Sequence, residues 1–126
     1  MRGVIVGIVI FIVMITGMLF YLKVLEKSTD GVLELVDGTY EAVSRESWEE
    51  ASGRAEQMHA QWRENMVWMA AFIAVNKTEN ILISTANINE YVKRRDTEEV
   101  LSELARLRIL IEQMRKSEYP LLRNVI

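Results

Sequence analysis

Few side chains in this 126-residue chain could do chemistry, and their spacing does not gather them. His59 is the one imidazole. On a helix its neighbours three and four positions away are Ala55, Glu56, Trp62 and Arg63. Glu56 could pair with it, but one His beside one carboxylate is not a metal-ligand set. There is no cysteine, which excludes disulfides, thiolate nucleophiles and thiolate metal sites. The carboxylate pairs Glu49-Glu50 and Glu98-Glu99 stand in first helical turns, where the helix dipole accounts for them. No Ser-His-Asp or Cys-His grouping and no Gly-rich phosphate loop can be built. Lys93-Arg94-Arg95 suits the C-terminal end of a helix. Three bases in a chain of net charge −3 do not make a nucleic-acid surface. Asn76-Lys77-Thr78 has the form of a glycosylation sequon, which has meaning only on a eukaryotic secretory route. The expectation is a protein with no enzymatic activity, no cofactor, no metal and no small-molecule substrate.

The elements that position these residues are organised around Val4 to Leu22, VIVGIVIFIVMITGMLFYL. It holds no charge, and Arg2 and Lys23 close it. At 1.5 Å per residue it reaches about 28 Å, close to the thickness of a bilayer's hydrocarbon core. Its 13 Ile, Val, Leu and Phe residues favour insertion by about 4 to 8 kcal/mol in sum. A cleaved signal peptide would need a shorter apolar region and a small-x-small cleavage site, and Ile15-Thr16-Gly17-Met18 is a poor one. The reading is an uncleaved anchor over residues 1–23, with Phe20 and Tyr21 as interfacial aromatics. Gly3 and Gly7 form a small-xxx-small pair through which two spans could pack. Lys and Arg nearly balance across the segment. The few residues that lead it favour an inside N-terminus and an outside C-terminal domain.

Residues 24–126 make one small domain, with the charge divided unevenly. Residues 24–64 carry a net −6 and residues 65–126 a net +1. A stalk helix over 24–44 shows an apolar stripe of Leu25, Val32, Val36, Tyr40 and Val43. A second stripe is acidic: Glu26, Asp30, Glu34, Asp37 and Glu41. It reads as a solvated face, or as a docking strip for a basic partner or a cation. Gly31 and Gly38 could mark a bend. Ser47 and Glu50 have the spacing of a capping box, opening a helix over 47–75. That helix carries the stripe Trp48, Ala51, Ala55, Met58, Trp62, Met66, Met69 and Ile73.

Its end, Met66 to Val75, is ten apolar residues in a row, too short to span a bilayer. If the stalk rises and this helix folds back, position 66 returns level with about residue 25. Trp68 and Phe72 would then touch lipid or a membrane partner; burial in the bundle or a self-association seam is the first expectation. Asn76 caps a third helix, over 77–94, with Ile81, Thr85, Ile88 and Val92 inward. Asp96 opens a fourth, over 97–117, with Val100, Leu104, Leu107, Ile111 and Met114 inward, and Pro120 ends it. Leu121 to Ile126 would pack back on the bundle. The segments Ser47-Trp48-Glu49-Glu50-Ala51 and Asp96-Thr97-Glu98-Glu99-Val100, 49 positions apart, are a faint repeat in which each opens the second arm of a hairpin.

Taken together, the order and spacing of Trp48, Glu49, Ala51, Trp62, Trp68, Asn80-Ile81, Tyr91, Asp96, Leu101, Glu103-Leu104 and Ile111 resemble a bacterial family catalogued as domain-of-unknown-function family 4363. The closing Asn124-Val125-Ile126 is similar to the family's end. At Val75-Asn76-Lys77, where members tend to carry His and acids, this chain departs, and no polar role at that junction carries over. The resemblance implies a bacterial cell-membrane protein and supplies no activity.

The fold expected is all-α: an N-terminal transmembrane helix continuing into a stalk, then antiparallel helical hairpins forming a small bundle. The function expected is a non-catalytic, membrane-anchored interaction module. The alternative is an extracytoplasmic ligand-sensing bundle working with a separate signalling subunit. Expected partners are the lipid bilayer and either a multi-span membrane protein or a second copy. The surface offered to a partner is Glu34, Asp37 and Glu41, or Trp68 and Phe72.

Overall fold

The computed structural model describes the backbone of residues 1–125 and the side chains through Glu118. Four helices follow one another: α1 (Arg2–Ser44), α2 (Trp48–Met69), α3 (Val75–Lys93) and α4 (Thr97–Val125). Each packs on the next and α4 returns to α1, so the helices ring a single core in up-down-up-down order.

α1 runs unbroken for 43 residues, about 65 Å. Its first half is exposed on all sides and is the one helix among the described residues long and apolar enough to cross a membrane. Its second half is no free-standing stalk, because Leu22, Leu25, Val32, Leu35, Val36, Ala42 and Val43 are buried in the bundle. Tyr40, expected on that stripe, turns outward and is 52% exposed. α1 is continuous through Gly31 and Gly38, which stand where side chains of α2 come close. A Cβ on Gly31 would stand 2.7 Å from Gln61 Nε2, and one on Gly38 would stand 2.5 Å from Arg54 Nη1. Two buried hydroxyls need no outside partner, since Thr29 and Thr39 donate to the carbonyls of Leu25 and Leu35 at 2.8 and 2.7 Å.

The remaining stripes turn inward as their spacing requires. Ala51, Ala55, Met58, Trp62, Met69 and Ile73 are buried from the α2 side. Ile81, Ile88 and Val92 come from α3, and Val100, Leu104, Leu107, Ile111 and Met114 from α4. Trp62 sits at the centre with no exposed surface, its Nε1–H donating to the Thr78 carbonyl at 3.0 Å.

The boundaries depart from the sequence reading in three places. α2 stops at Met69, not Val75, because residues 70–74 turn the chain back into α3. α3 starts at Val75 with Ala74 as its cap, and Asn76 falls inside the first turn. Pro120 does not end α4, which continues to Val125. Proline there forgoes the hydrogen bond to the Lys116 carbonyl, and Lys116 is exposed, where water can satisfy that oxygen. The expected packing of Leu121 to Ile126 lies outside the described side chains.

The α1–α2 and α3–α4 turns have the same backbone. Glu46 N–H donates to Val43 and Ser47 N–H to Ala42; 49 positions on, Arg95 N–H donates to Val92 and Asp96 N–H to Tyr91. This paired pattern is the Schellman motif, and its left-handed position is filled by Glu46 (φ 59°) and Arg95 (φ 55°) instead of glycine. The repeat in the sequence is thus a repeat of turn geometry.

Candidate functional site: an apolar collar at the foot of the bundle

The chemistry-bearing side chains stay apart. His59 is half-buried, with Nδ1 2.9 Å from Thr85 Oγ1. Thr85 already donates its hydroxyl hydrogen to the Leu82 carbonyl, so Nδ1 carries the proton and donates to Thr85. Burial, and then the nearby Arg63 charge, hold the imidazole below its ordinary pKa. Thr85 thus takes the place expected for Glu56. Among the described residues, no three of His, Asp or Glu gather where a metal could bind.

The Ser47–Glu50 capping box does not form. The Glu50 carboxylate is claimed by Arg45 at 3.2 Å and Arg54 at 3.1 Å, and Ser47 makes no side-chain cap. At the other turn the cap does form, with Glu99 N–H donating to Asp96 Oδ1 at 3.3 Å.

Much of the acidic stripe of α1 is occupied from within. Asp37 pairs with Arg108 of α4. Arg115 reaches Asp30 at 3.1 Å and Glu26 at 3.6 Å. As a docking strip for a basic partner the stripe is therefore reduced, with Asp37 committed to its own chain. Glu34 and Glu41 are exposed and pair with no described base. Glu34 borders an open groove of about 900 Å³ between α1 and α2, with Lys27, Asp30, Gly31 and Gln61.

The most distinctive surface lies at the opposite end from the two Schellman turns. Residues 69–75, Met-Ala-Ala-Phe-Ile-Ala-Val, form the α2–α3 connection without one Gly, Pro, Asn, Asp or Ser. Turns ordinarily draw on those residues. Met69 and Ile73 point into the core, while Ala70, Ala71, Phe72, Ala74 and Val75 face out. Val67, at the end of α2, is 82% exposed, Phe72 65% and Val75 55%. This turn sits beside the last turn of the apolar half of α1. Tyr21 meets Trp68 edge-on with ring centroids 6.1 Å apart and Phe72 at 5.0 Å. Of the two apolar residues singled out from sequence, Trp68 is half-buried and Phe72 exposed, so burial in the bundle does not describe Phe72. The sequence reading placed Tyr21 as an interfacial aromatic but missed the turn itself and the contact of Tyr21 with Trp68 and Phe72. Its clue was an apolar run with no turn-forming residue.

Below the collar is a cleft of about 320 Å³ lined by Met14, Gly17, Met18, Leu22, Phe72 and Glu118. Glu118 is only 7% exposed. Burial pushes its carboxyl above the ordinary range, against the opposing pull of Lys77. Lys77 itself is tied to Ser117 at 3.0 Å. Gly3 and Gly7 lie far along the exposed helix, with open space where a Cβ would be.

Residues 19–125 match the family described as Domain of unknown function (DUF4363). No curated protein matches, and no solved structure does. The matched stretch takes in the whole bundle and begins in the last turn of the apolar segment.

Proposed function

The chain belongs to the DUF4363 family, a domain of unknown function, and we propose that it is a non-catalytic, membrane-anchored module that holds a partner at the membrane surface. Residues 4–22 cross the cell membrane once, with the bundle on the outer side. Exposed aliphatic side chains around the circumference of a helix are costly in water, and among the described residues those from Val4 to Met14 stay more than half exposed. Lipid covers them at no cost in unpaired polar groups, because the backbone bonds are all internal to the helix.

The observation that carries the reading is the continuity of α1. No linker separates the apolar half from the half built into the core. The bundle therefore sits at a fixed height and a fixed rotation relative to the span, as positioning a neighbour in the same membrane requires. His59, Asp30 and Asp37 are engaged across helices of the bundle, and Glu50 pairs with Arg45 at the α1–α2 turn. Glu34 and Glu41, with the outward Tyr40 between them, are the acidic surface of α1 that no described base occupies, open to a neighbour. That neighbour is a multi-span membrane protein or a second copy of this chain. Photo-crosslinkers at Glu34 and Glu41 in intact membranes test this. A discrete adduct supports the module, and recovery of the uncrosslinked monomer from both positions rejects it.

A further inference from the structure

We propose that the α2–α3 turn is a second membrane contact: Val67, Phe72 and Val75 seat in the interfacial layer of the bilayer and hold the bundle flush against it. The inference rests on the anchor reading above and adds a site to it.

Depth comes from Tyr21. If residues 4–22 fill the hydrocarbon core, Tyr21 stands at its boundary, the level at which interfacial tyrosines and tryptophans collect. Phe72 and Trp68 touch Tyr21, so they share that level. The apolar surface of the turn is therefore continuous with the lipid-facing surface of α1. Orientation comes from burial. Met69 and Ile73 satisfy the core, and the larger outward groups, Val67, Phe72 and Val75, have no cover within the described residues. A contiguous apolar patch of this kind marks an interaction surface. Composition points the same way: a water-facing turn has no use for Ala-Ala-Phe-Ile-Ala, whereas the two turns at the far end are charged. Lys23 and Lys77, both exposed, stand two residues beyond Tyr21 and Val75, at the height of lipid phosphates. A lipid surface fits this arrangement better than a protein groove, since the patch adjoins the exposed apolar half of α1 and is flanked by Lys23 and Lys77.

The chain has no cysteine, so single-cysteine variants of the full-length protein can carry an environment-sensitive fluorophore without background. Val9→Cys, Phe72→Cys and Glu46→Cys are labelled and reconstituted into phosphatidylcholine–phosphatidylglycerol vesicles. Nitroxide lipids and aqueous iodide then compete as quenchers. The expected result is that the Phe72 position follows Val9, with at least threefold stronger lipid than iodide quenching, while Glu46 shows the reverse. If Val9 is lipid-quenched but Phe72 is quenched by iodide like Glu46, the second contact is overturned and the anchor stands. Protection of Phe72 from both quenchers would mean a protein cover and also overturns it. An iodide-accessible Val9 rejects the anchor, and this inference with it.

Discussion

The two ends of the bundle make the same kind of reversal with opposite materials. At the far end, Arg45-Glu46-Ser47 and Arg94-Arg95-Asp96 close their helices with Schellman hydrogen bonds, surrounded by charge. At the near end, beside the exposed apolar helix, a five-residue apolar connection does it with small residues and a phenylalanine. The far turns tolerate a strained left-handed Glu and Arg, because local hydrogen bonds compensate there. The near turn has no positive φ and relies on Met69 and Ile73 being buried. On the proposed reading, the difference teaches that each end is composed for the medium it meets.

The largest effect expected is at the near end. Trp62→Ala removes the largest fully buried side chain and the donor to the Thr78 carbonyl, which together tie α2 to the first turn of α3. A loss of about 3–5 kcal/mol should follow in denaturant titrations of the full chain in detergent. A loss below about 1 kcal/mol would mean that the core does not hold the near turn. At the far end the sign reverses. Glu46→Gly and Arg95→Gly should each stabilise by about 1 kcal/mol, since glycine adopts the left-handed conformation without the Cβ clash. Ala71→Gly in the near turn should instead cost up to about 1 kcal/mol, by freeing the unfolded chain with no strain to relieve. Equal responses at both ends would erase the contrast.

The smallest effect lies between the ends, at His59. Its folded pKa is lowered, so the unfolded chain binds more protons as the pH drops. The stability it contributes is full above its unfolded value of about 6.5 and is lost as pH falls through the folded value. His59→Asn should flatten the stability profile below about pH 6.5. An unchanged slope would show that burial does not hold the His59 imidazole below its ordinary pKa.

The core was legible in the sequence because burial alone decides it. Three- and four-residue spacing placed Ala51, Ala55, Met58, Trp62 and Met69 inward, and there they lie. Local rules failed where other side chains, near or far along the chain, compete. Ser47 and Glu50 have capping spacing, but Arg45 and Arg54 take the carboxylate. Asp37 and Asp30 looked like a free acidic face because their partners, Arg108 and Arg115, are more than seventy positions away on α4. The end of α2 was hidden for a related reason. Met66 to Val75 contains nothing that breaks a helix, yet α2 stops at Met69, and Met69 and Ile73 are buried on either side of the reversal. The depth of Trp68 and Phe72 was within reach from helix lengths, whereas their exposure required the turn to be seen.

The account depends on residues 4–22 remaining attached and in lipid. Mass determination of the protein from carbonate-washed membranes of expressing cells tests this most directly. The account predicts the intact 126-residue chain in the washed membrane pellet. A soluble species missing the apolar segment would contradict it.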